Sequence, residues 1–182
     1  MTSTRARRGA WALVAALAVA SVACSPPAPE EQPELESAAL VLPGFDSISV
    51  PLVDGEGTLR DEEGTLRVRA ALTDWRVEED LDGDGVLDAV VVAWSSGGGS
   101  GTFMEVVHFR LEEDTPRTAR WTWSGSAALG DRVRIRAMAL TDGLVELHVT
   151  EHGPDDPMCC PTVETIRAFE VRDGTLVPAA GR

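Results

Sequence analysis

The sequence predicts an all-β domain, an antiparallel sandwich or partly closed barrel with little helix outside an N-terminal leader. Three observations carry that expectation. Apolar and polar residues alternate with period two in segment after segment, which puts one set of side chains on each face of an extended chain. Gly and Asp pairs of the kind that close hairpins fall between those segments. Helical periodicity is weak throughout, and no repeat of fixed period recurs, which excludes a propeller or solenoid.

The elements follow in chain order. Residues 47–53 alternate through Ile48, Val50 and Leu52, and residues 65–72 through Leu66, Val68 and Ala70. Residues 87–94 form a near-continuous valine-rich run, the pattern of a strand buried on both faces. Residues 102–111 carry Phe103, Val107 and Phe109, and residues 120–124 hold Trp121 and Trp123 at strand spacing. Such tryptophans are more often core than the wall of a sugar or peptide groove, an alternative that extends to Trp75 and Trp94. Residues 132–140 alternate through Val133, Ile135 and Ala137, turn at Asp142-Gly143, and return through Val145, Leu147 and Val149. A second such turn, Asp173-Gly174, separates strands at 163–171 and 175–177. The alternation puts His108 and His148 opposite the apolar side of their strands, an expected solvent-facing position.

The first residues read as a leader rather than as fold. Arg5, Arg7 and Arg8 precede an apolar run from Ala10 to Ala20, which is short for a membrane span and ends in small residues. Ser21-Val22-Ala23-Cys24 then has the form of a lipobox, with residues 1–23 as signal peptide and the Cys24 thiol as lipid acceptor; ordinary cleavage that leaves an unmodified Cys24 is the alternative. Four prolines and clustered glutamates follow, so residues 24–38 are expected to form an extended tether and residues 39–182 the domain. Ser25 after the lipidated cysteine, in place of Asp, favours the outer membrane in a cell that has one. The net charge of −14 argues against nucleic acid and against anionic headgroups, and favours a cation. The expected partners are the membrane, through the anchor, and a protein or glycan of unknown identity.

Asp80-Leu81-Asp82-Gly83-Asp84-Gly85-Val86-Leu87-Asp88 is the most informative segment. Carboxylates at positions one, three, five and nine of a tight loop, with Gly85 at position six and the Val86 carbonyl at seven, converge on one point and suit a calcium ion. The expected ligands are Asp80, Asp82, Asp84, Val86 and Asp88, with a structural role for the ion. It is not an EF-hand, because Val91 stands where a bidentate Glu is needed and strand follows. The loop resembles the DxDxDGxxD loops of FG-GAP and integrin-type β proteins, a resemblance that implies direct closure of the cage by Asp88. A solvated acidic turn is the alternative.

The Ser95–Thr102 glycine segment lacks the Lys of a phosphate loop and the final Gly of a nucleophile elbow, so it reads as a hairpin loop and a secondary candidate for a binding rim. His152 and the run Met158-Cys159-Cys160 form the other unusual stretch. With Cys24 lipidated, Cys159 and Cys160 can pair only with each other, a bond that an oxidising compartment permits. The sharper alternative is a soft-metal site for copper or zinc on His152, Met158, Cys159 and Cys160.

The Asp80–Asp88 loop followed by Ala89, the Gly98–Phe103 turn, Gly130-Asp131-Arg132-Val133, and His152-Gly153-Pro154 with Asp156–Thr162 occur in that order. Together they resemble an uncharacterised family of secreted bacterial proteins, often lipoproteins, over residues 77–171. Met104 and Glu105 stand where such proteins often carry Tyr. The resemblance implies export and supplies no catalytic residue. No nucleophile with a neighbouring base emerges from the sequence either, so the expectation is a non-catalytic, calcium-stabilised, membrane-anchored module. Metal or thiol-redox handling and a cell-envelope hydrolase are the alternatives, with His152 the histidine to test.

Overall fold

The structure is a computed structural model that describes residues 33–115 and 118–179. The expected leader, the expected lipid acceptor Cys24 and the beginning of the expected tether lie outside the described residues. The fold is all-β and antiparallel throughout, as the alternation predicts, in three sheets of which one curls into a half-barrel.

A hairpin of β1 (Ala39–Leu42) and β2 (Ile48–Pro51) forms the first sheet. The second has five strands in sequence order: β3 (Glu56–Arg60), β4 (Leu66–Glu79), β5 (Asp88–Ser96), β6 (Phe103–Thr115) and β7 (Thr118–Asp131). The third is a meander of β8 (Arg134–Thr141), β9 (Leu144–Glu151), β10 (Val163–Arg172) and β11 (Thr175–Pro178). The turns at Asp142-Gly143 and Asp173-Gly174 have both central residues at positive φ, the geometry that matches the twist of the flanking strands. Asp54-Gly55 does the same ahead of β3, a strand the alternation did not reveal.

The five-stranded sheet is covered on both faces, so the molecule has two cores. On one face Leu40, Leu42, Val50 and Leu52 of the hairpin segment pack against Val68, Ala89, Val91, Val107, Phe109 and Trp121. On the other, Val90, Val92 and Val106 pack against Val145, Leu147, Val149, Phe169 and Val171 of the third sheet. This explains the valine run: β5 is central, and its two sets of side chains each enter a different core.

Two expectations are corrected here. Residues 33–38, assigned to the tether, belong to the fold: Leu35 and Ala38 are buried in the first core, Trp121 Nε1 donates to the Pro33 carbonyl at 2.9 Å, and Glu36 pairs with Arg76. Apolar Leu35 and Ala38 outweigh the acidic composition around them. His108 is not solvent-facing but 0% exposed. It does lie opposite Val107 and Phe109, yet the third sheet covers that face too. His148 is exposed as expected, and Trp121 and Trp123 belong to the first core.

Strand β7 is much longer than the Trp121–Trp123 pattern suggested, because bulges break its alternation. Register shifts opposite Met104/Glu105 and His108/Phe109 leave Leu129 and Ser124 unpaired. Each extra residue re-aims a side chain. Leu129 enters the second core, and Ser124 Oγ donates to the Gly174 carbonyl of the third sheet at 2.6 Å.

Candidate metal centre

The acidic loop connects β4 to β5 at the lower end of the central sheet, taking the Asp88 end of β5 as down. Gly83 and Gly85 both adopt positive φ, which lets the chain turn twice within a few residues. Asp80 organises the turn from inside: its carboxylate accepts from the backbone N–H of Gly83, Asp84 and Gly85. Asp82 reaches across to the third sheet, where its Oδ2 accepts from Gly174 N–H at 2.7 Å. Asp88, the first residue of β5, is fully buried; its Oδ2 accepts from Leu81 N–H at 3.1 Å and its Oδ1 meets His108 Nε2 at 2.8 Å.

The result is a group of three carboxylates, Asp80, Asp82 and Asp88, each with an oxygen within 4.8 Å of the others'. It is the one such group of His, Cys, Asp or Glu among the described residues. Three hard oxygens at that spacing fit a divalent cation. Asp84, expected with them, stands apart: its Oδ2 accepts from Arg110 Nη2, and its Oδ1 from Val86 N–H. The Arg110 guanidinium holds the Asp84 carboxyl below its ordinary range. Nothing in the loop's alternation could have announced Arg110, which comes from β6 and passes over Gly174; a Cβ on that glycine would lie 1.9 Å from Arg110 Nη1.

Behind the carboxylates stands the buried Asp88–His108 pair. With Asp88 ionised, the imidazole must carry its proton on Nε2 to donate to it. His108 Nδ1 is buried without a hydrogen-bond partner. The pair fixes the Asp88 carboxylate from behind, in the way that a buried partner orients a ligand.

The Cys-Cys segment lies elsewhere, at the upper end. Cys159 and Cys160 form a disulfide with each other. Their sulfurs are therefore not thiolates, and Met158 points to solvent at 73% exposure, so the four residues of the expected soft-metal set do not form a ligand cluster. The residue that organises this loop is one the sequence did not single out. Asp156 accepts from Gly153 N–H, Thr162 N–H and Thr162 Oγ, at 2.9, 2.7 and 2.7 Å, closing the loop ends together. These bonds, the Gly153 amide first, hold its carboxyl below the ordinary range. Arg132, at the corner between β7 and β8, then ties three segments: it donates to Ser100 O of the glycine loop and Met158 O of the Cys-Cys loop, and pairs with Asp131. His152 is half-buried beside this loop, with Nε2 lacking a partner.

No protein-family model, curated protein or solved structure matches the chain.

Proposed function

We propose that the protein is a non-catalytic module of the cell envelope whose two stacked sheets are clamped together by a calcium ion on Asp80, Asp82 and Asp88. The observation that carries this reading is the three-carboxylate group itself, set where a loop of the central sheet reaches Gly174 of the third sheet. A cation there would neutralise a concentration of negative charge at the seam between sheets. Oxygen-only ligands on a flexible, glycine-rich loop favour calcium over the smaller and more exacting magnesium. The leader and Cys24 support export and lipid anchoring, with the outer membrane favoured, and the folded part begins close enough to Cys24 that the tether is short. A protein or glycan is the proposed partner. Handling of a soft metal finds less support, since both cysteine sulfurs of that set are engaged in the disulfide.

Thermal unfolding of the purified protein in EDTA and in calcium chloride tests the clamp. With a dissociation constant of about 10⁻⁴ M, a hundredfold excess of calcium adds about 2.7 kcal/mol of stability, a rise in Tm of roughly 5–10 °C for a domain of this size. Asp82→Asn retains an acceptor for Gly174 N–H while removing a charge, so it should abolish most of that rise without preventing folding. Superimposable curves with and without calcium would reduce the loop to an acidic turn.

A further inference from the structure

We propose that a slot at the upper edge of the first core binds a small organic molecule bearing a primary ammonium group. The slot has a volume of about 380 Å³, towards the small end of ligand sites. One wall is the turn Pro43–Phe45, and the rest comes from Phe103–Glu105 of β6 and from Ser126, Ala128 and Gly130 of β7.

Glu105 is the only ionisable residue that lines it, and it is 6% exposed. Its Oε2 accepts from Ser126 Oγ at 3.1 Å. Its Oε1 lies under Gly44, where a Cβ would stand 3.9 Å away, in ordinary contact. Among the described residues no arginine forms an ion pair with Glu105, in contrast to Glu36, Asp84, Asp131, Glu151 and Glu170. Burial accordingly holds its carboxyl above the ordinary range. A carboxyl sunk in an apolar slot with one hydroxyl donor is costly to maintain, and a ligand that brings a positive charge with N–H donors supplies what it lacks.

The walls fit the rest of such a ligand. Phe45 and Phe103 meet edge to face, with ring centroids 6.0 Å apart, and Phe103 remains 43% exposed. Both rings rest on the glycine loop: a Cβ on Gly97 would come within 3.0 Å of the Phe45 ring, and one on Gly101 within 3.1 Å of Phe103. Bare backbone at these two positions is what lets the rings sit where they do. Aromatic faces beside a carboxylate complement an ammonium ion with an aryl or alkyl substituent. An anion would meet Glu105 unfavourably. A bare metal ion would find a single carboxylate rather than a cage.

This site is separate from the acidic loop. Glu105 pairs with Ala93, five residues along β5 from Asp88, a distance of roughly 17 Å. The probe is benzylammonium chloride, titrated by calorimetry into the full chain at neutral pH with calcium present, alongside its neutral analogue benzyl alcohol. Saturable binding of benzylammonium is expected, at least about tenfold tighter than benzyl alcohol and weakened about tenfold or more by Glu105→Gln, which keeps the acceptor for Ser126. Phe103→Ala should weaken it several-fold while leaving the preference for the charged probe intact. Asp82→Asn should leave benzylammonium binding unchanged, so failure of the calcium clamp and failure of the slot are told apart. Absence of saturation up to about 20 mM, equal binding of the alcohol, or an unaffected Glu105→Gln variant would each overturn the proposal.

Discussion

The two ends of the central sheet solve the same problem, closing a loop between strands, with opposite chemistry. At the upper end the chain supplies its own partners. Asp156 is surrounded by three donors, Asp131 takes Thr102 N–H and the Arg132 guanidinium, and Arg132 also donates to two backbone carbonyls. At the lower end three carboxylates crowd together while the nearest guanidinium, Arg110, sits on Asp84 and approaches Asp82 only to 4.0 Å. Backbone N–H groups and His108 meet the three carboxylates, while the strongest guanidinium contact goes to the fourth. The upper-end carboxylates thus find their partners within the chain, and the lower end carries a three-carboxylate group that could hold a metal ion.

The largest effect expected from breaking this contrast is at Asp88. Asp88→Ala strands His108 in the second core and removes the acceptor of Leu81 N–H, a loss of about 3 kcal/mol or more by the usual cost of orphaning buried polar groups. Asp88→Asn keeps one acceptor oxygen and should cost clearly less in denaturant unfolding while still removing calcium dependence. Equal destabilisation by the two would mean that the charge, rather than the hydrogen bonds, holds the pair.

At the upper end Asp156→Ala should act locally and independently of calcium. Amide exchange at residues 153–162 should accelerate, with little change in the second core. Because the carboxyl of Asp156 is held below its ordinary range in the folded state, its support is fully present above that range and is lost as pH falls through the depressed value. Acidification of the native protein should therefore reproduce the variant's exchange pattern in this loop. An exchange pattern in Asp156→Ala that responds to EDTA would show that the two ends are coupled.

Much of this architecture is legible in residues read singly. The valine run of β5 announces a strand buried on both faces, and the two Asp-Gly hairpins of the third sheet announce themselves. Asp54-Gly55 carries the same signal, but short β3 between Gly and charged residues lacks an apolar stripe to go with it. The His108 expectation failed for an instructive reason. If β5 is covered on both faces, its neighbour β6 is covered there too, so the residue opposite Val107 and Phe109 enters a second core rather than water. Of the site, the sequence spacing reveals Asp80, Asp82 and Asp88, because they lie on one loop. It does not reveal Arg110 and His108, which pairing register brings from β6, or Gly174, which sheet packing brings from the β10–β11 turn. Bulges hide the rest: the pairing of β7 inserts Ser124 and Leu129 out of phase, and a period-two reading ends where they begin.

The smallest effect belongs to the most conspicuous motif. A disulfide stabilises chiefly by closing a loop in the unfolded chain, and Cys159 and Cys160 are adjacent, so theirs closes almost none. The loop that carries them is already held by Asp156 across its base and by Arg132 at Met158 O. Reduction with a water-soluble phosphine, with the two thiols then blocked, should therefore shift Tm by no more than about 2 °C, less than loss of calcium at the other end. A shift as large as that produced by EDTA would mean that the disulfide, and not the Asp156 clasp, closes the upper end, and the contrast between the two ends would have to be redrawn around it.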